Sequence, residues 1–210
     1  MKVEEIIELA QNSELKQLKV GEEPLTVLGY VNMGILELHK RFNLIQHEAI
    51  INMVAEKTVY RLDGTDTDVI IDLSRNSFLK VDEVYDYESK KLPLNDKSID
   101  TSLFTPEYNV IQIPVIALIP TKSLNVDYRA TPNFLTNVKA YVPLPLQFVE
   151  ALLCYIGYRA HGSIKAGDRQ TPGDDRYYKK FVASCNQIKA EGLIVADTLK
   201  SHKFENRGFV

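Results

Sequence analysis

Pro143–Ser163, PLPLQFVEALLCYIGYRAHGS, is the stretch on which the reading of the whole chain turns. Pro145 suits the first turn of a helix, where its missing N–H has no intrahelical partner to lose. After it, Phe148, Val149, Leu152, Leu153, Tyr155 and Ile156 point in several directions, and Gly157 and Ala160 are small enough for another backbone to come close. A helix apolar all round is enclosed in a large core, buried in lipid, or sandwiched between its own subunit and a neighbour. At about 18 residues it is roughly 27 Å long, which is more than a core of four helices is expected to enclose. Lipid is disfavoured by Glu150 within the run. The expectation is subunit contact, with Phe148, Leu152, Tyr155, Ile156, Gly157 and Ala160 forming an interface helix.

Working outward, a loop GSIKAGDRQTPGDD leads to a second helix. Asp174 and Asp175 supply its N-cap and favourable dipole charge, and Tyr178, Phe181, Val182, Cys185, Ile188 and Gly192 mark one face. The other end of the chain repeats the arrangement. Val3, Ile6, Ile7 and Ala10 make a short amphipathic helix; Pro24 then opens a longer one along Leu28, Val31, Ile35, Leu38 and Phe42. Between them, short runs rich in Val, Ile and Tyr (EAIINMVAEKTVYRL, DVIIDL, FLKVDEVYDY, YNVIQIPVIAL, LNVDYRA) alternate with turn compositions such as DGTDTD and ESKKLPLND. The fold class is α+β. Residues 1–43 and 141–196 form a helical bundle from two hairpins, 44–140 an inserted antiparallel β lobe read as a meander, and 197–210 an extended C-terminal tail.

The formal charge of -3 argues against a protein that grips nucleic acid, which favours a basic surface. The start MKVEEIIELAQ places acids where a secretory leader needs an apolar core, so the chain reads as cytoplasmic when made, without a membrane span. Cys154 and Cys185 lack C-x-x-C spacing and sit in helical text, as buried thiols do. The G-x-x-x-x-G frame of GSIKAGD has Asp168 where a phosphate loop needs lysine, and no strand precedes it. DGTDTD lacks the closing glutamate of a calcium loop and reads as a hairpin turn. His39, His47, His161 and His202 are scattered, and His161 is placed to complement a helix C-terminus. No catalytic residue, metal or cofactor is expected.

Taken together, LTVLGYVNMGILELHKRF, KTVYRL, FLKVDEVYDYESKKLPLN, LNVDYRATP, VPLPLQFVEALLCYIGYRAHGS and DDRYYKKFVASCNQIKAEGL resemble the head-to-tail adaptor (connector) proteins of short-tailed bacteriophages, those of the crAss-like phages included. The resemblance implies a structural virion protein of the phage neck. Its helical bundle would assemble side by side into a homo-oligomeric, twelve-fold ring below the portal protein and above the tail or nozzle protein. Genomic DNA would pass through the lumen without sequence-specific binding. The C-terminal extension would dock on the portal, with Lys200, Lys203, Phe204, Arg207, Phe209 and Val210 as the contacting candidates. Another neck or tail ring protein is the nearest alternative. A small cytoplasmic enzyme would need a polar cluster that the sequence does not assemble, and a nucleic-acid-binding module would need a basic face.

Overall fold

Alternating burial and three-and-four burial divide the chain as the hydrophobic periods predict. A computed structural model describes residues 1–16, 18–19, 23–74, 76–164 and 173–193, with the side chains of 163, 164 and 173–175 excepted. The chain separates into two compact units, one built from Met1–Phe42 and the segment beginning at Phe134, the other from Asn43–Asn133.

The first unit is helical. Helix α1, Val3–Asn12, buries Val3, Ile6, Ile7 and Ala10, and the Glu5 carboxylate accepts the Lys2 N–H at 2.8 Å where the helix begins. Helix α2, Pro24–Arg41, starts with its proline in the first turn and ends on Lys40 and Arg41, whose charges offset the dipole. A 3-10 turn at Leu146–Phe148 leads into α3, Val149–Ile164, and α4 spans Gly173–Ala190. Helix α3 packs against α1, α2 and α4. Phe42 meets Phe148 edge-on at 4.9 Å between ring centroids, and Phe181 of α4 meets Tyr155 at 5.2 Å.

This packing corrects the expectation that α3 needs a neighbouring subunit. Phe148, Leu152, Ile156 and Ala160 are fully buried by the chain's own elements, each large side chain contributing about 1.5–3 kcal/mol. Gly157 allows a close approach from within the same chain: a Cβ there would lie 3.1 Å from the Tyr177 ring and 3.2 Å from the Glu14 Cβ. Helix length alone suggested that four helices could not enclose α3, but α1, α2 and α4 together with the 3-10 turn before it supply the cover.

The second unit is β-rich. Strands β1 (Gln46–Asn52), β3 (Val69–Ile70), β4 (Phe78–Tyr85) and β6 (Ser123–Ala130) form an antiparallel sheet in the order β3-β1-β6-β4. Strands β2 (Val59–Arg61) and β5 (Val110–Gln112) make a separate antiparallel pair. The strands are therefore not a meander, because β6 returns between β1 and β4. Period-two text identifies a strand and its buried face but not its neighbours. Register is set by burial: Ala49 lies opposite Val126 and Ile51 opposite Leu124, all facing the core around Tyr60, Leu62, Val84 and Tyr128. A slip of one residue would send that set to solvent. The run YNVIQIPVIAL is also not one strand: β5 stops at Gln112, and Val115–Ala117 form a 3-10 turn after Pro114, which cannot donate to a ladder.

Candidate functional site

Among the described residues, the histidines and cysteines are dispersed and packed into the fold. His39 is buried on α2; its Nδ1–H donates to the Ile35 carbonyl at 2.8 Å, and its buried Nε2 has no hydrogen-bond partner among the described residues. Burial lowers its pKa below the ordinary value, against the raising effect of the Ile35 bond. His47 hydrogen-bonds Asn76 Oδ1 at 3.2 Å beside the Tyr128 ring. His161 donates from Nε2 to the Glu14 carbonyl at 3.2 Å and stacks on Tyr177 at 4.7 Å. It stands in the last turn of α3, as expected, and also ties α3 to the turn after α1. His202 lies outside the described residues.

Cys154 and Cys185 are free and buried, and burial pushes the Cys154 thiol up to about 11, far from a reactive thiolate. Among the described residues, no group of three or more His, Cys, Asp or Glu side chains could hold a metal ion.

The aspartate-rich turn carries its own cation. Lys57 Nζ sits 2.6 Å from both Asp66 Oδ1 and Asp68 Oδ2. Burial pushes the Asp66 carboxyl up, but the Lys57 bond and the N–H groups of Asp68 and Arg61 outweigh it and hold the pKa below the usual range. Asp63 accepts the N–H and hydroxyl of Thr65, closing the turn. A lysine thus occupies the position between carboxylates that calcium would take.

A groove of about 290 Å³ runs beside β4, walled by Lys80, Asp82, Asn95, Thr105, Glu107 and Tyr108. Several of its polar groups are already paired, with one another or with neighbours. Asp82 pairs with Arg129 at 2.8 Å, Asn95 exchanges hydrogen bonds with Thr105, and Glu107 lies 3.8 Å from Arg61. Its walls bring together no nucleophile and base of the kind that catalysis requires.

What each unit does present is apolar surface on a fixed backbone. In the helical unit, Phe134, Tyr141 and Leu146 are 68%, 71% and 69% exposed. The segment that carries them is pinned. Asn32 on α2 donates to the Leu135 carbonyl at 2.9 Å and accepts the Leu135 N–H at 2.8 Å. Val3 N–H reaches the Ala140 carbonyl at 2.9 Å, Glu4 N–H the Val138 carbonyl at 2.8 Å, and Val142 N–H the Met1 carbonyl at 3.0 Å. In the β unit, Val115 and Ile116 stand out from the turn between Pro114 and Pro120. Sequence reading did not single out either surface. The signal available was the pair of prolines around VIALI, and the proline-broken apolar text of NFLTNVKAYVPLPL, which carries apolar residues without a helix or strand to bury them.

The expected interface residues are distributed differently. Phe148, Leu152, Ile156, Gly157 and Ala160 face the interior of their own unit, and Tyr155 is half-buried with its ring against Tyr158 and Phe181. Lys200, Lys203, Phe204, Arg207, Phe209 and Val210, and the loop residues Lys165, Asp168 and Arg169, lie outside the described residues. No helix among those described is long and apolar enough to cross a membrane. No protein-family model matches the chain, and no curated protein is significantly similar to it.

Proposed function

We propose that the chain is a structural assembly protein, the head-to-tail adaptor of a short-tailed phage, joining side by side with its own copies in a ring between portal and tail. The observation that carries this reading is the display of Phe134, Tyr141 and Leu146 on a segment fixed by five main-chain and side-chain hydrogen bonds to α1, α2 and the chain start. Two aromatics and a leucine held rigidly in water lose little entropy when a partner covers them, which is how interface anchors differ from frayed loops. The α+β layout, with a helical unit drawn from both ends of the chain and a β unit inserted between, agrees with what the resemblance to adaptors implies. Under this reading the partners are the portal protein, the tail or nozzle protein and further copies of the chain. DNA passes without sequence-specific contact, and residues Lys200 to Val210 dock on the portal.

The test is binding of the full chain to purified portal rings, followed by sedimentation. Co-sedimentation that is lost on deleting Lys200 to Val210 and weakened by Tyr141→Asp supports the adaptor reading. A chain that never sediments with portal refutes it.

A further inference from the structure

The β unit ends in two loops fastened to one another. Met53 N–H donates to the Lys122 carbonyl at 2.9 Å, Thr121 N–H to the Met53 carbonyl at 3.0 Å, and Ile113 N–H to the Thr58 carbonyl at 2.8 Å. Within the loops, Val54 N–H donates to the Tyr60 hydroxyl at 2.9 Å and Ala117 N–H to the Pro114 carbonyl at 2.9 Å. Ala117 and Leu118 pack on the core and anchor the turn. On this frame Val115 and Ile116 are 78% and 70% exposed, with Val54, Val59 and Ile119 also in solvent.

Three properties define what could cover this tip. Its backbone bonds are largely made within the loops, so it offers side-chain surface rather than a ladder edge. Its flanking cations are engaged inside the chain, Lys57 between Asp66 and Asp68 and Lys122 over the Tyr87 ring at 4.4 Å, so it has little with which to steer phosphate or an acidic partner. Its five exposed members are all aliphatic. Contacts between different proteins lean on Trp, Tyr and Arg, whereas contacts between identical subunits are the more apolar class.

We infer that the tip formed by Val54, Val59, Val115, Ile116 and Ile119 is a contact surface for a second copy of this chain. The inference rests on the assembly reading and supplies a self-contact in place of the buried α3. Five aliphatic side chains, three of them less than half exposed, make a patch smaller than the roughly 800 Å² per partner of a standard interface. A single contact is therefore weak, and it becomes lasting only when repeated around a closed assembly or combined with a second surface.

Sedimentation velocity of the full chain over a wide concentration range, compared with Ile116→Asp, tests this. The expected result is concentration-dependent self-association, weakened at least about tenfold in the variant, with an unchanged melting temperature. Val115→Ser replaces the variant if Ile116→Asp does not fold. Equal self-association of wild type and variant overturns the inference and leaves the assembly reading standing. A chain monomeric at every concentration overturns the inference, and the assembly reading falls with it only if that chain also fails to sediment with portal. Portal binding that Ile116→Asp abolishes, with no self-association in either protein, assigns the tip to a foreign partner and also overturns the inference.

Discussion

Two glycines on α2 separate the contribution of helix propensity from that of packing. Gly29 and Gly34 share one helix, and alanine at either should gain about 1 kcal/mol from propensity alone. A Cβ at Gly29 meets nothing within 4 Å, so Gly29→Ala keeps the whole gain. At Gly34 the new Cβ would stand 2.5 Å from Leu152 Cδ1 and 3.2 Å from Tyr155 Cδ1. Leu152 is fully buried and cannot swing into solvent, so α2 and α3 must move apart or a rotamer must strain. Overpacking of this kind costs about 1–3 kcal/mol. Gly34→Ala should therefore be neutral to about 2 kcal/mol destabilised. The gap between the two variants, about 1–3 kcal/mol, is the packing penalty itself. For a chain of this size it reads as roughly 2–4 °C in melting temperature per kcal/mol. The assay is thermal and urea unfolding followed by helical ellipticity. If Gly34→Ala matches or exceeds Gly29→Ala, α2 and α3 do not approach as described, and the argument that the chain's own helices cover α3 fails with it.

Other outcomes follow from single groups. His39 has a folded pKa below its unfolded value near 6.5, so its contribution is fully present above that pH and is lost as pH falls toward the folded pKa. Stability should decline by about 1.4 kcal/mol per pH unit across that window, and His39→Leu should flatten this part of the profile. Removing the shared cation with Lys57→Ala should cost about 1 kcal/mol, since the lysine is partly solvated; added salt should recover part of the loss by screening Asp66 from Asp68, and an unaltered urea midpoint would contradict the bridge. Asn32→Ala removes both hydrogen bonds to Leu135 and should speed amide exchange at Leu135 while leaving the core of α3 protected.

How much of this was legible in the sequence depends on what kind of signal each feature leaves. Helices α1, α2 and α4 were readable because their apolar residues recur at three-and-four spacing, α3 from its unbroken apolar run, and Pro24 and Pro145 mark two of the starts. The β character was readable from Val, Ile and Tyr between turn compositions. Strand order was not, because the pairing of Gln46–Asn52 with Ser123–Ala130 joins segments far apart in the chain, and alternation says nothing about which distant strand lies alongside. The cover of α3 was misjudged for a related reason. Apolarity on every side shows that a helix is surrounded, but whether its own chain or another does the surrounding depends on tertiary geometry, here on Glu14 and Tyr177 closing over Gly157. Among the candidate sites, Lys57 could not be assigned to Asp66 and Asp68 from spacing, since the turn at Asp63–Asp68 is not the hairpin expected: it joins β2 of one sheet to β3 of the other, and only the folded β unit brings the lysine there. The exposed tip at Val115 and Ile116 was hidden by its composition, which matches a strand until Pro114 and Pro120 are weighed.

Electron microscopy of the full chain mixed with portal rings of a short-tailed phage tests the proposed adaptor role most directly. The account requires portal particles bearing an additional ring of this chain, in register with the portal axis. Portal rings left bare, with the chain remaining as dispersed monomers, would contradict it.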